Sequence, residues 1–150
     1  MLKRIFSFLF AFVLLLPVQA LAINEDEAAS IIYFEDGSYI TITINEFESR
    51  ASGSKTGQKT YVYTSNNGTV CWESTLTGTF TYTGTSSVCT SSSCDVTIYE
   101  SAFYVVSKTA STSGNSAIAT LTMGRKMLGI TVAKNTYNMS LTCDINGNLS

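Results

Sequence analysis

The sequence contains no histidine, and its single proline, Pro17, lies near the start. Without histidine, Ser-His-Asp and Cys-His nucleophilic centres are excluded, as is any histidine-ligated metal site. Charge is scarce too: 13% of residues are ionic and the formal net charge is −2. Removing Lys3 and Arg4 with the N-terminal segment described next takes this to −4 (−2 − 2), because every acidic residue follows position 22. A mildly acidic chain offers no electrostatic case for nucleic acid or anionic membrane as partner. After Ala22 no run is long and apolar enough to span a bilayer.

What is present begins with MLKRIFSFLFAFVLLLPVQALA. Lys3 and Arg4 precede an apolar stretch from Ile5 to Leu16, Pro17 breaks it, and Ala20-Leu21-Ala22 sets small residues where a signal peptidase reads them. This pattern is that of a secretory signal peptide, residues 1–22, too short for a membrane span. The expected mature chain, 23–150, is exported and long enough for one domain with a single core.

All four cysteines (Cys71, Cys89, Cys94 and Cys143) lie in that exported part. An even count outside the cell reads as two disulfides, each contributing about 2–4 kcal/mol. A zinc site is disfavoured: Cys71 and Cys143 stand alone and no histidine completes a ligand set. Four cysteines allow three pairings. Cys143 shares a strand face with Leu141 and Met139, and Cys89 sits in a serine-rich segment able to reach it. The expected bridges are therefore Cys89–Cys143 and Cys71–Cys94, with a tight Cys89–Cys94 loop as the alternative.

Threonine, tyrosine, valine and isoleucine dominate over helix formers, which points to an all-β chain. Four hairpins are legible. IIYFEDGSYITITI turns at Asp36-Gly37 and pairs Phe34 with Tyr39, Tyr33 with Ile40 and Ile31 with Ile42. After a polar loop from Asn45 to Lys59, a second turns at Asn67-Gly68 with Tyr63 opposite Trp72 and Tyr61 opposite Ser74. Its second arm alternates strictly, Trp72, Leu76, Phe80 and Tyr82 on one face, Cys71, Glu73 and the threonines on the other. TSSVCTSSSC reads as a loop before a strand from Asp95 to Tyr99. A third hairpin turns at Gly114-Asn115, matching Val106 with Met123 and Ala110 with Ala119. A fourth turns near Lys134-Asn135, matching Leu128 with Leu141, Ile130 with Met139 and Val132 with Tyr137. The sum is a single-domain antiparallel β-sandwich or small barrel of eight or nine short strands. No fixed-period repeat suggests a solenoid.

Carboxylates are the remaining candidates for catalysis, in the manner of a small glycoside hydrolase: Glu46, Glu48, Glu73, Asp95 and Glu100. Ordinary solvated charge explains each, so no catalytic residue and no cofactor is assigned. Asp144-Ile145-Asn146-Gly147-Asn148 alternates oxygen ligands like half a calcium loop, but Leu149 occupies the position that needs glycine and the bidentate glutamate is missing. An Asn-Gly turn explains it better, and no metal is expected.

Thr75, Thr77, Thr79, Thr81, Thr83 and Thr85 form a regular rank. Ice-binding faces of the TxT type repeat such a rank on flat neighbouring strands. Here the neighbours offer fragments on strands expected to twist, so the face reads as wet strand surface. The first hairpin offers more. Its register sends Ile32, Phe34 and Tyr39 outward together, and exposed aromatic clusters mark contact sites for glycan or protein.

The phrases GTFTYTGTSSVCTSS, SKTASTSGNSA, MGRKMLGITV and LTCDINGNLS resemble a group of small exported bacterial proteins to which no activity is assigned. The resemblance spans most of the chain after the signal. It implies a bacterial origin and one exported domain, and it makes the Asn-X-Ser/Thr sequons at Asn67, Asn138 and Asn148 irrelevant. The expected function is a secreted, disulfide-stabilised, non-enzymatic binding domain for an extracellular glycan, cell-wall polymer or protein. A self-assembling surface or matrix protein is the alternative.

Overall fold

The computed structural model describes residues 30–47 and 53–150. The expected signal peptide, residues 1–22, and Glu48 lie outside the described residues. Eight strands follow in chain order: β1 (Ser30–Tyr33), β2 (Tyr39–Phe47), β3 (Ser54–Thr64), β4 (Val70–Tyr82), β5 (Ser87–Ile98), β6 (Phe103–Ser113), β7 (Ser116–Met127) and β8 (Ile130–Thr142). The first five form one antiparallel sheet in the order β1-β2-β3-β4-β5, and the last three a second, β6-β7-β8. Each sheet is a meander in which every strand pairs with its chain neighbour. The arrangement is a sandwich of two sheets, not a closed barrel.

The core lies between the sheets because alternation puts one face of each strand there. From β4 come Trp72, Leu76 and Phe80, from β7 Ala117, Leu121 and Met123, and from β8 Met139 and Leu141, all buried. Gly78 lies where the two sheets pack together: an added Cβ would lie 2.6 Å from the Phe80 ring and 2.9 Å from Ala117 Cβ. Ser74 is fully buried among these residues; its hydroxyl lies 3.5 Å from Cys94 Sγ and donates to Met139 Sδ at 3.6 Å.

Two hairpins have the expected central registers. Tyr63 faces Trp72 and Tyr61 faces Ser74, and Ala110 faces Ala119. Each register includes a bulge. The second turn runs over three residues, with Ser65 N donating to Thr69 O and Gly68 N to Ser65 O, and the resulting one-residue offset is taken back at Cys71. That extra residue explains why Cys71 is buried rather than on the threonine face. In the third hairpin Val106 is the extra residue, so Met123 pairs with Val105.

Four expectations are corrected. The first hairpin is shifted by one residue: Tyr33 pairs with Tyr39, Ile32 with Ile40 and Ile31 with Thr41. Its turn also contains three residues, Phe34 N donating to Ser38 O, with Gly37 at φ 81. A three-residue turn moves the register by one and flips every side chain on the arm. The polar stretch from Asn45 to Lys59 is mostly strand, because β2 runs on to Phe47 and β3 starts at Ser54. Its glycine and lysines pair across the ladder, Gly57 with Glu46 and with Gly78. The serine-rich stretch is strand β5; a bulge at Thr90 lets Cys89 and Cys94 both point inward despite their odd spacing.

The fourth correction is the largest. The turn falls at Leu128-Gly129, with Met127 opposite Ile130, and β8 passes straight through Lys134-Asn135. Leu128 and Gly129 take φ 50 and 80, the pattern of a type I′ turn, for which Gly129 supplies the residue. The apolar matching that favoured the other register assumed that Leu128, Ile130 and Val132 face inward, whereas all three are exposed.

The four cysteines are buried free thiols, no pair standing at bonding distance. The Cys71–Cys94 bridge is ruled out by register. Cys94 pairs with Leu76, five residues along β4 from Cys71, which is about 16 Å at the rise of a strand, and a disulfide needs Cα atoms within about 7 Å. Cys89 and Cys94, five apart on one strand, are separated by a similar length. Cys89 and Cys143 lie at the same end of the sandwich: Cys89 N donates to Gly114 O and Cys143 N to Asn115 O, adjacent residues of one turn.

Candidate functional site

A row of aromatic rings runs from the first turn into the core. Phe34 lies 6.1 Å from Tyr63, centroid to centroid. Tyr63 stacks on Trp72 at 5.5 Å with the planes 2° apart, and on its other side lies 5.6 Å from Phe103. Trp72 in turn meets Tyr137 at 5.1 Å. The row follows from the ladder: Tyr63 and Trp72 are cross-strand partners of β3 and β4, so their side chains share the inner face. Trp72 is fully buried, whereas Phe34, Tyr63, Phe103 and Tyr137 all reach solvent in part.

These rings end at a cleft of about 290 Å³ between the first two turns and the start of β6. Its polar rim includes Asp36, Asn66, Asn67, Glu100 and Arg125. The Arg125 guanidinium stands 5.9 Å from the Phe103 ring centroid. Asp36 accepts from the Ser38 hydroxyl at 2.5 Å and from its backbone N–H at 3.0 Å. These two bonds, and more weakly Arg125, hold the Asp36 carboxyl below the usual range, so it is an anion at neutral pH. Burial, with a smaller contribution from the Tyr63 phenol, pushes the Tyr137 hydroxyl up to about 12.

On the other side of Phe34 a groove of about 530 Å³ opens between the β1–β2 hairpin and β8. Ile32, Phe34, Ile40 and Ile42 form one wall and Asn135 to Asn138 the other. The groove lies over the inner face of the larger sheet, where Ile40 and Ile42 are themselves buried while Ile32 and Phe34 reach solvent.

Of the expected site residues, Ile32 and Phe34 come together in this groove, at 48% and 37% exposure. Tyr39 does not join them. It lies across the sheet against Tyr33, rings 5.8 Å apart, because the one-residue shift puts the Tyr33–Tyr39 pair on the opposite face. Sequence reasoning missed Tyr63, Phe103, Tyr137 and the Asp36–Arg125 rim. Tyr63 was findable, since its pairing with Trp72 was legible. Tyr137 was not, because its strand was assigned the wrong partner.

The carboxylates are spread out. Glu46 is held by Lys55 at 2.7 Å, Glu73 accepts from Tyr99 at 3.4 Å on the outer face, and Asp95 faces Lys108 at 3.9 Å. Of the four described, Glu100 alone lines the cleft. Asp144 is occupied by its own turn, accepting from Asn146 N, Asn148 N and Asn148 Nδ2, each at 2.8 Å. The Asn148 amide is the main reason that its carboxyl, like that of Asp36, is held low.

The threonine rank is also committed to its neighbours. Thr75 shares a hydrogen bond with Thr60 and Thr79 with Thr56, each at 3.2 Å, while Gln58 donates to Thr77 at 3.2 Å. A cross-strand lattice on the outer face satisfies these hydroxyls. Comparison with protein-family models, with curated proteins and with solved structures gives no significant match, so the functional reading rests on the site itself.

Proposed function

We propose that the protein is a non-enzymatic binding domain acting outside the cell, with the aromatic cleft and adjoining groove as its binding surface and a glycan as its ligand. The observation that carries this reading is the row of partly exposed rings ending in an amide- and ion-lined rim. Sugar rings offer apolar C–H faces to aromatic planes and hydroxyls to carboxylate, amide and guanidinium groups. Phe34, Tyr63 and Phe103 supply the planes; Asp36, Asn67 and Arg125 supply donors and acceptors. The Asp36 carboxylate, kept ionised, can only accept, which suits the hydroxyls of a neutral saccharide.

Export to an oxidising compartment belongs to the same proposal, with one bridge, Cys89–Cys143. Burial, and in lesser measure Cys143, raise the Cys89 thiol; a disulfide-bearing oxidant would take the two electrons and two protons given up as the Cys89–Cys143 bond forms.

Trp72 is the sole tryptophan, and it stacks directly beneath Tyr63. Titration with soluble fragments of peptidoglycan, mucin glycans and neutral polysaccharides should change its emission saturably for one of these classes, and Phe34→Ala should weaken that response. No response to any of them, or one indifferent to Phe34→Ala, would remove the cleft from the reading.

Self-assembly is kept as a second reading by β1. This edge strand exposes Ile31 at 48%, Ile32 at 48% and Tyr33 at 72%, with no charge among its four residues. Concentration-dependent polymerisation abolished by Ile31→Lys would support it.

A further inference from the structure

The average charge of the chain conceals a segregation. Of eleven acidic residues ten precede Ser101 and the eleventh is Asp144, so none falls in β6, β7 or β8. Those strands carry four cations: Lys108, Arg125, Lys126 and Lys134. Lys108 is drawn to Asp95 and Arg125 faces the cleft. Lys126 and Lys134 have no ion-pair partner among the described residues.

The same sheet ends in an apolar point. β6 stops supporting β7 where Lys126 N bonds Ala102 O, and Met127, Leu128, Gly129 and Ile130 project past it. The overhang to Leu128 is about 7 Å at the rise of a strand. Met127 is 57% exposed, Leu128 97% and Ile130 70%. Two bulges add to this: Val132 and Val106 are the unpaired residues of their ladders, and both are exposed. Lys126 directly precedes the tip, its ammonium 4.7 Å from the Tyr104 ring centroid, and the Tyr104 hydroxyl is bonded to Thr131 at 2.8 Å.

Leu128 is the only non-glycine residue with positive φ among those described. A leucine there is disfavoured on two counts, backbone conformation and full exposure, where Asn-Gly would be the favoured turn. Among the described residues nothing covers the Leu128 side chain to offset either cost.

The geometry points to the β7–β8 hairpin tip as a membrane-docking element, its apolar point entering the headgroup–acyl boundary of an anionic bilayer while Lys126 and Lys134 lie against the lipid phosphates. The overhang matches the 5–10 Å depth typical of interfacial insertion. Charge complementarity selects an anionic lipid surface. The inference is independent of the glycan reading, which uses the opposite flank of Arg125.

The test is co-flotation of the protein, isolated as the cell holds it, with vesicles of phosphatidylcholine alone and of phosphatidylcholine and phosphatidylglycerol in equal parts. Native and variant proteins carry the same N-terminus. Binding is expected on the anionic vesicles and to fall with salt. Lys126→Gln and Lys134→Gln should each lower it about fivefold. Leu128→Asn should lower it at least tenfold without lowering the unfolding midpoint, because the substitution relieves the strained turn. Equal binding to both vesicle types, or binding unaffected by Leu128→Asn, would overturn the proposal. So would a native dimer that Leu128→Asn dissociates in the absence of lipid binding, which would make the tip a contact between copies.

Discussion

Tyr63 and Trp72 stack face to face, their centroids 5.5 Å apart and their planes 2° from parallel, across a strand pair whose ladder is interrupted beside them. The bulge at Cys71 restores the register that lets these two rings share a face. Core and candidate site are thereby joined: Trp72 fills the interior and Tyr63 is at once its cover and the floor of the cleft.

If that stack holds the open end of the sandwich together, its partners should be coupled. A double-mutant cycle of Tyr63→Leu and Trp72→Phe, read by urea unfolding, should give an interaction energy of about 0.5–1.5 kcal/mol. A coupling indistinguishable from zero would mean that the rings lie together without supporting one another.

Gly78 should tolerate no side chain. A Cβ there meets the Phe80 ring at 2.6 Å and Ala117 at 2.9 Å, and both belong to the packed interior. Gly78→Ala is expected to cost about 1–3 kcal/mol in chemical denaturation, since overpacking forces neighbours off their rotamers. An unchanged midpoint would show that the sheets can separate locally at no cost.

The Tyr137 phenol gives a signed pH dependence. Its folded value, about 12, lies above the ordinary value of 10.0, so its contribution is complete below pH 10 and is lost as pH rises from 10 towards 12. Tyr137→Phe should leave stability at pH 7 nearly unchanged and flatten the alkaline loss, though not abolish it, because burial also raises Tyr61. Parallel pH profiles for the two proteins would contradict this.

The thiols provide a separate check. In oxidised protein two thiols should react after unfolding, and peptide mapping should place them at Cys71 and Cys94, with Cys89 linked to Cys143. A peptide joining Cys71 to Cys94 would contradict the β4–β5 register.

The all-β sandwich was legible in the sequence because alternation and turn glycines survive without any tertiary knowledge. Where a turn was flanked by polar residues, at Asn67-Gly68 and Gly114-Asn115, the central pairing was readable too. The errors have two physical sources. A three-residue turn looks like a two-residue one in sequence, which moved the first hairpin by one position and separated Tyr39 from Ile32 and Phe34. The rule that large apolar side chains go inside failed at Leu128, Ile130 and Val132, and the false match with Leu141 and Met139 concealed both the true turn and Tyr137's place beside Trp72. Serine- and glycine-rich stretches such as Ser87–Cys94 form strand because cross-strand bonding, rather than propensity, decides them.

The measurement that tests the central claim most directly is co-sedimentation with peptidoglycan, mucin and insoluble polysaccharides, comparing the native protein with Phe34→Ala/Arg125→Gln. Retention on one material, lost in the double variant while Leu128→Asn is retained, is the predicted result. Native protein left in the supernatant with every material, or a double variant retained as well as the native chain, would contradict a glycan-binding cleft at this end of the sandwich.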